Sequence, residues 1–257
     1  MSRRRYGSGK KLHMCVAAGL LAAGTVLGNP KSAYSITGGN DVTDTSMGYV
    51  AQISHSLGGF CTGTLIAQQW VLTAAHCVGG ENDARNFTIR LGTNVRGGGQ
   101  VYRGAELFDY PGYVGAHNDV ALLKLETPAY GVQPIRLAAP DQSRRWDGHQ
   151  GGPFTKYDDG VIAGWGKNGA GWPSRLQFKG VSIYPVQYDR DNWPTIPVSD
   201  GPCGGDSGGP LMVVIDGQLY QVGVMKAQNC STTGSYSDVG KGILQKWIIE
   251  TMQNHSR

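Results

Sequence analysis

Short apolar stretches separated by turn residues recur along most of the chain. Each stretch is rich in Val, Ile, Leu or Thr and bounded by Gly, Pro, Asn, Asp or Ser, which is typical of β-strands. Many short strands of this kind favour an all-β fold built from barrels. The predicted strand regions are Gly48–Ile53, Gly63–Ala74, Phe87–Leu91, Asp119–Leu125, Gly160–Trp165, Leu176–Tyr184, Pro210–Val214 and Leu219–Met225.

The C-terminal segment follows a different period. Its apolar positions recur with helical spacing and predict one amphipathic helix packed on the body of the protein. Forty of the 257 residues are glycine, without a Gly-x-y repeat, which suits tight turns between short strands. The predicted buried face of the helix consists of Ile243, Leu244, Trp247, Ile248, Thr251 and Met252.

The N-terminal segment has the layout of a secretory signal peptide. Arg3–Arg5 and Lys10–Lys11 precede an apolar run from Leu12 to Leu27. We expect a signal peptide over residues 1–35, with a short propeptide if cleavage falls nearer Gly28. A transmembrane anchor is the alternative, but the run is shorter than the ~20 apolar residues that a spanning helix needs. No membrane association is therefore expected once the signal is removed, and the predicted location is extracellular.

Charge and cysteine content change this picture little. Six of the 23 basic residues lie before Ile36, which leaves 17 basic against 19 acidic residues in the remainder and gives no reason to expect nucleic-acid binding. The remainder holds four cysteines, an even number typical of an exported chain. No Cys-x-x-Cys pair or histidine cluster suggests zinc, so we expect no metal and no other cofactor. The four are Cys61, Cys77, Cys203 and Cys230.

Three short motifs carry the chemistry. Thr73–Cys77 contains His76, Asn118–Leu123 contains Asp119, and Gly204–Pro210 contains Ser207. A serine hydroxyl is a poor nucleophile unless a neutral imidazole takes its proton, and a buried carboxylate fixes the tautomer of that imidazole. These motifs predict one acyl-transfer site with Ser207 as nucleophile, His76 as base and Asp119 as its carboxylate partner.

The Gly204–Pro210 motif also predicts which groups bind the negatively charged oxygen of the tetrahedral intermediate. Two N–H groups converging from a glycine-rich turn can bind an oxyanion, and we assign this role to the main chain of Gly205 and Ser207.

The order of the motifs separates two kinds of serine hydrolase. Gly205–Gly209 also fits the G-x-S-x-G pattern of α/β-hydrolases, in which the order is serine, acid, histidine. The only histidine after Ser207 is His255, close to a polar C-terminus and poorly placed for a buried base. The order histidine, aspartate, serine favours another family.

With these motifs, the chain resembles the trypsin/chymotrypsin family of secreted serine endopeptidases over nearly its whole length after the leader, and the leader suggests a bacterial-type member. The resemblance implies two six-stranded antiparallel β-barrels, at residues 36–145 and 146–257, the second including the C-terminal helix, with the active site between them. It also implies the disulfides Cys61–Cys77 and Cys203–Cys230. Further matching segments are Ile36–Gly39, Phe60–Ile66, Trp70–Leu72, Gly164–Gly166 and Gly234–Tyr236.

Family members become active when cleavage frees an Ile or Val ammonium that pairs with the aspartate before the nucleophile. The resemblance gives these roles to Ile36 and Asp206. Ser35 precedes Ile36 where the family has Arg or Lys, and Ala33–Ser35 satisfies the small-x-small rule of signal peptidase. We therefore hypothesise that export cleavage itself creates the active N-terminus.

The substrate pocket departs from the family pattern. Where the trypsin branch has a pocket-floor aspartate, this chain has Gly201, and an uncharged floor favours a chymotrypsin-like or elastase-like preference. Asp200, brought in by a register shift, would instead favour Arg or Lys, and Lys226 could receive an acidic side chain. The residues assigned to the pocket are Gly201, Pro202, Lys226, Ala227 and Gln228.

The expected activity is that of a monomeric peptide hydrolase. Its partners would be polypeptide substrates and protein protease inhibitors. Two alternatives remain open: a binding protein that has the protease fold but no activity, and an esterase that uses the same residues.

Overall fold

The computed structural model describes residues 36, 38–147, 158–167, 171–188, 193–199, 201–228, 230 and 232–256. The predicted signal peptide lies outside these residues. Residues 33–257 form one compact unit. In the described part of the chain, no helix is both long and apolar enough to cross a membrane.

The first half of this unit contains a closed antiparallel barrel. After a short strand β1 (Asn40–Asp41), its six strands follow one another around the barrel in the order β2-β3-β4-β7-β6-β5. Their bounds are β2 Val50–His55, β3 Phe60–Ala67, β4 Trp70–Thr73, β5 Phe87–Leu91, β6 Gln100–Asp109 and β7 Ala121–Leu125. Two 3-10 helices, Ala75–Cys77 and Ala84–Asn86, lie between β4 and β5.

The second half forms another barrel. Its strands are β8 Arg136–Leu137, β9 Asp158–Gly164, β10 Gln177–Ile183, β11 Gln187–Tyr188, β12 Pro194–Ser199, β13 Pro210–Ile215, β14 Gln218–Gln228 and β15 Thr233–Asp238. Six of them pair antiparallel in the order β10-β9-β13-β14-β15-β12, and Ile183 of β10 opposite Val198 of β12 closes the ring. β1 and β11 extend this sheet, and β8 runs parallel to β14. The predicted fold of two six-stranded barrels is confirmed.

Alternation along the strands places one face of each in a barrel core. In β5, Phe87, Ile89 and Leu91 are buried while the intervening Thr88 and Arg90 are half-buried, which is the period of two expected for a strand. Each fully buried aliphatic side chain contributes about 1.5–3 kcal/mol through removal from water. Burial in the two barrel cores therefore stabilises the strands that the loops connect.

A third apolar cluster joins the barrels to the C-terminal helix α1 (Gly242–Asn254). It contains Trp70, Leu72 and Val120 from the first half together with Leu244 and Ile248 from the helix. The predicted helix is confirmed, as is burial of its residues 244, 248 and 251.

The prediction was wrong for Ile243, whose side chain is 51% exposed. Successive helix positions are about 100° apart, so Ile243 falls to one side of the face centred between Leu244 and Ile248. Gln245 takes the buried place on the other side and donates from Nε2 to the carbonyl of Ala138 at 2.5 Å.

Candidate active site

His76 lies in the turn that follows β4. The 3-10 helix Ala75–Cys77 carries it out of the first barrel, and 33% of its side-chain surface is exposed. Its Nδ1 atom lies 2.5 Å from Oδ2 of Asp119, and its main-chain N–H donates to Oδ1 at 2.8 Å. Two contacts to one carboxylate fix both the ring and its main chain. The other ring nitrogen, Nε2, lies 3.8 Å from Sγ of Cys77.

Asp119 is 1% exposed and lies two residues before the start of β7. The preceding residue, Asn118, has a φ of +53°, and its side-chain amide donates to the carbonyl of Gly112 at 3.0 Å. The main-chain carbonyl of Asp119 accepts a 3.4 Å hydrogen bond from the hydroxyl of Ser237 on β15. The carboxylate partner of His76 is thus held by the first barrel and contacted by the second.

Ser207 lies in a tight turn that leads into β13. The N–H of Asp206 donates to the carbonyl of Cys203, and the N–H of Gly209 donates to the carbonyl of Asp206, both at 2.9 Å. Gly205 has a φ of +98°, a conformation that favours glycine. The turn therefore depends on the glycines around the serine.

The first barrel packs directly against this turn at Gly208. This residue has a φ of +80°, and a Cβ there would collide with the Thr73 hydroxyl and with the main chain of Thr62. A side chain at position 208 would therefore separate the turn that carries Ser207, hereafter the nucleophile turn after the role predicted for Ser207, from β3 and β4.

Thr62 of β3 holds the turn in place across the barrel interface. Its N–H donates to the carbonyl of Ser207 at 2.9 Å, and its hydroxyl donates to the carbonyl of Gly205 at 2.8 Å. The same hydroxyl accepts from the N–H of Trp165 at 3.1 Å, and Thr62 is fully buried. Sequence reasoning missed this residue. It lies within the Phe60–Ile66 motif, but nothing local shows that its hydroxyl reaches the other barrel.

Within the described residues, the main-chain N–H groups of Gly205 and Ser207 donate to no protein acceptor. Their carbonyls, in contrast, are both bonded to Thr62. A pair of unused donors beside a serine hydroxyl is what binding of an oxyanion requires.

His76 and Ser207 line one open cavity of about 570 Å³. Its other walls come from the hairpin between β2 and β3, including Leu57 and Phe60, and from Cys77–Glu81. No hydrogen bond joins Ser207 Oγ to His76 Nε2 in the described structure. Hydrogen bonds between catalytic groups are often long before substrate binds. The observation that relates Ser207 to His76 is therefore that both side chains line the same cavity.

Asp206 is 2% exposed. Its Oδ1 accepts from the N–H of Gly166 at 2.7 Å, and its Oδ2 accepts from the N–H of Cys203 at 2.8 Å. Burial raises the pKa of Asp206 to about 6, although these hydrogen bonds and the positive charge of Arg96 act in the opposite direction. Ile36 is also buried, but its nitrogen is part of the peptide bond to Ser35 in this chain.

The five predicted pocket residues are not among the described residues that line this cavity. Gly201 and Pro202 are buried, and the Pro202 ring packs against Gly234, where a Cβ would lie 2.8 Å from its Cδ. Lys226 donates from Nζ to the hydroxyl of Thr195 at 2.7 Å. Ala227 is exposed, whereas Asp200 and the side chain of Gln228 lie outside the described part.

The structure contains the disulfides Cys61–Cys77 and Cys203–Cys230, the pairing that the resemblance implies. Cys61, His76 and Cys77 bring possible metal-ligating atoms within 4.8 Å of one another. Because the two sulfurs are bonded to each other, this cluster retains only the imidazole as a donor.

Comparison with known proteins agrees with the fold. Residues 36–248 match the protein-family model described as Trypsin. Cationic trypsin-3 of Rattus norvegicus is 30% identical over 241 residues, which cover 84% of this chain and 89% of that protein. Kallikrein-5 of Homo sapiens is 29% identical over 224 residues, which cover 77% of this chain and 69% of that protein.

The fold and these matches define a serine-type endopeptidase. The chain belongs to the trypsin family.

Proposed function

We propose that the chain is a secreted endopeptidase that cleaves peptide bonds through an acyl-enzyme on Ser207, with His76 and Asp119 completing the triad. The observation that carries this proposal is the 2.5 Å contact between Asp119 and His76, with Ser207 in the same cavity as the imidazole. The two disulfides suit an extracellular location.

The chemistry follows from the roles of the three side chains. As Ser207 Oγ attacks the scissile carbonyl, His76 Nε2 takes its proton, and the carbonyl oxygen becomes an oxyanion within reach of the N–H groups of Gly205 and Ser207. His76 then gives that proton to the departing amine, leaving the acyl group on Ser207. Water repeats the sequence and releases the acid. Asp119 keeps the Nδ1–H tautomer of His76 in place throughout.

The substrate preference we propose is apolar, of the chymotrypsin or elastase kind. The floor position holds Gly201, next to the buried Pro202 that packs against Gly234. The ammonium of Lys226 is directed to Thr195 on β12, which argues against its serving as the receptor for an acidic substrate side chain. Substrates would be polypeptides, and protein inhibitors of trypsin-like enzymes would compete with them.

Labelling with a serine-directed phosphonate tests the triad. We expect one adduct on Ser207 of the processed protein, and none on Ser207→Ala or in protein pretreated with a competing inhibitor. Ser56→Ala, at an exposed serine, is the matched control and should label normally. Folded wild-type protein that takes up no label and cleaves no peptide would instead support the binding-protein alternative.

Peptides that vary the residue before the scissile bond test the preference. We expect the highest kcat/KM for an apolar residue. A hundredfold preference for Arg or Lys would show that the pocket is trypsin-like, with Asp200 as the residue to replace next. Cleavage of esters but of no peptide in the panel would favour the esterase alternative.

A further inference from the structure

Arg96, in the loop between β5 and β6, is enclosed by aromatic rings. Its Cζ atom lies 4.6 Å from the ring centre of Phe60, 4.7 Å from that of Trp172 and 5.9 Å from that of Trp165. Its Nε donates to the carbonyl of Pro173 at 2.8 Å. Aromatic faces attract a guanidinium and hold it in a defined orientation. The first barrel therefore places one cation, with little freedom, beside loops of the second.

Two of these rings border the nucleophile turn. The indole of Trp172 packs on Gly205, where a Cβ would lie 2.8 Å from Cζ3. Trp165 precedes Gly166, whose N–H donates to Asp206 and whose Cα lies close enough that a Cβ would collide with that carboxylate. A displacement of the rings would therefore move the oxyanion donor Gly205, the Asp206 carboxylate, or both.

The charges of Arg96 and Asp206 are opposite, and both groups are buried at least in part. Within the described residues, Nη2 of Arg96 is buried without a hydrogen-bond acceptor. A buried charge is costly unless an opposite charge lies near it. Burial lowers the pKa of Arg96 and raises that of Asp206 to about 6, and the attraction between the two charges opposes both shifts. Each group thus supplies the other with a counter-charge.

We propose that Arg96 is a positioning residue for the turn that carries Gly205 and Ser207, acting through the Trp172 ring and the buried carboxylate of Asp206. This inference rests on the proposed function, because it assigns the turn its oxyanion role. Arg96 is not among the described residues that line the cavity shared by His76 and Ser207. It supports the donors from the first barrel through ring contacts, in addition to the hydrogen bonds that Thr62 makes to the same turn.

A double-mutant comparison of stability tests the contact independently of activity. At pH 7, Arg96→Gln should lower the urea midpoint in the wild-type background and lower it much less in an Asp206→Asn background. Equal losses in both backgrounds would overturn the inference. If Arg96→Gln does not fold, a folded Arg96→Gln/Asp206→Asn double variant supports the coupling, and an unfolded one overturns it.

Kinetics of the processed enzyme test the positioning role. Arg96→Gln should reduce kcat about tenfold while KM stays within about twofold, because the donors act mainly in the transition state. Arg96→Lys, which keeps the charge, should recover most of kcat. Arg103→Gln, at an exposed arginine, is the matched control and should behave as wild type. An unchanged kcat in Arg96→Gln, or no recovery in Arg96→Lys, would contradict the proposal.

The experiments distinguish failure of the proposed function from failure of the inference about Arg96. Wild-type protein without Ser207-dependent hydrolysis would refute the proposed function, while the stability comparison would still decide whether Arg96 and Asp206 are coupled. Active wild-type enzyme with an indifferent Arg96 would refute the positioning role alone.

Discussion

Freeing the nitrogen of Ile36 should stabilise the protein in a pH-dependent way. In the unprocessed chain the buried carboxylate of Asp206 accepts two main-chain hydrogen bonds, and the cation that acts on it most is Arg96. Cleavage before Ile36 would create an ammonium group. If that group reaches Asp206, it supplies a second positive charge to a carboxylate whose burial disfavours ionisation.

The magnitude follows from the pKa of Asp206. Burial raises it from 3.8 to about 6, so the folded chain binds this proton more tightly than the unfolded chain. At 1.36 kcal/mol per pKa unit, the difference is worth about 3 kcal/mol. Because the folded pKa is the higher one, this contribution is fully present below about pH 4 and is lost as the pH rises through about 6. An ammonium partner would restore about that amount at pH 7.

Urea denaturation of two chains measures the effect. One chain begins at Ile36, and the matched control retains Ser35, which displaces the ammonium by one residue. We expect the chain beginning at Ile36 to be more stable by about 3 kcal/mol at pH 7 and by much less at pH 4. Asp206→Asn should abolish the difference. Other buried carboxyl groups, such as Asp238 with its pKa raised to about 6 by burial, are common to both chains and cancel. A difference that is the same at both pH values would refute the reasoning.

Three further changes test the site. Gly208→Ala forces a Cβ into β3 and β4 at a positive φ, so we expect a loss of about 2 kcal/mol or more in unfolding free energy and near-complete loss of phosphonate labelling. Thr62→Val leaves the part-buried carbonyl of Gly205 and the buried N–H of Trp165 without this partner, which should cost about 1–3 kcal/mol for the buried N–H and less for the carbonyl in urea denaturation, and should lower kcat. Asp119→Asn should reduce kcat by the roughly 10⁴-fold known for this change in chymotrypsin-like triads, with an unchanged urea midpoint as the check on folding.

The strands could be predicted where local pattern reflects burial. Phe87–Leu91 coincides with β5 because its alternation of apolar and polar positions is regular. The region Gly63–Ala74 is instead two strands, β3 and β4, because a hairpin turn at Gln68 and Gln69 contains neither Gly nor Pro. β15 was missed since Thr233–Asp238 is mostly polar, yet Tyr236, Ser237 and Asp238 are buried between neighbouring strands.

The same division applies to the site. His76, Asp119 and Ser207, the residues of the proposed triad, lie in motifs whose neighbours in sequence point to them. Thr62 and Arg96 do not, because their roles arise from contacts with residues more than 60 positions away. Contacts between residues so far apart in the sequence produce no local pattern from which these roles could be predicted.

The Cys61–Cys77 disulfide joins two neighbours of functional groups: Cys61 precedes the threonine that holds the nucleophile turn, and Cys77 follows the imidazole. A thiol reductant that opened this bridge would uncouple His76, the proposed general base, from the strand whose Thr62 holds the turn of Ser207. We therefore expect the active enzyme to need oxidising surroundings. Reducing agents should lower its activity at concentrations that do not yet unfold it.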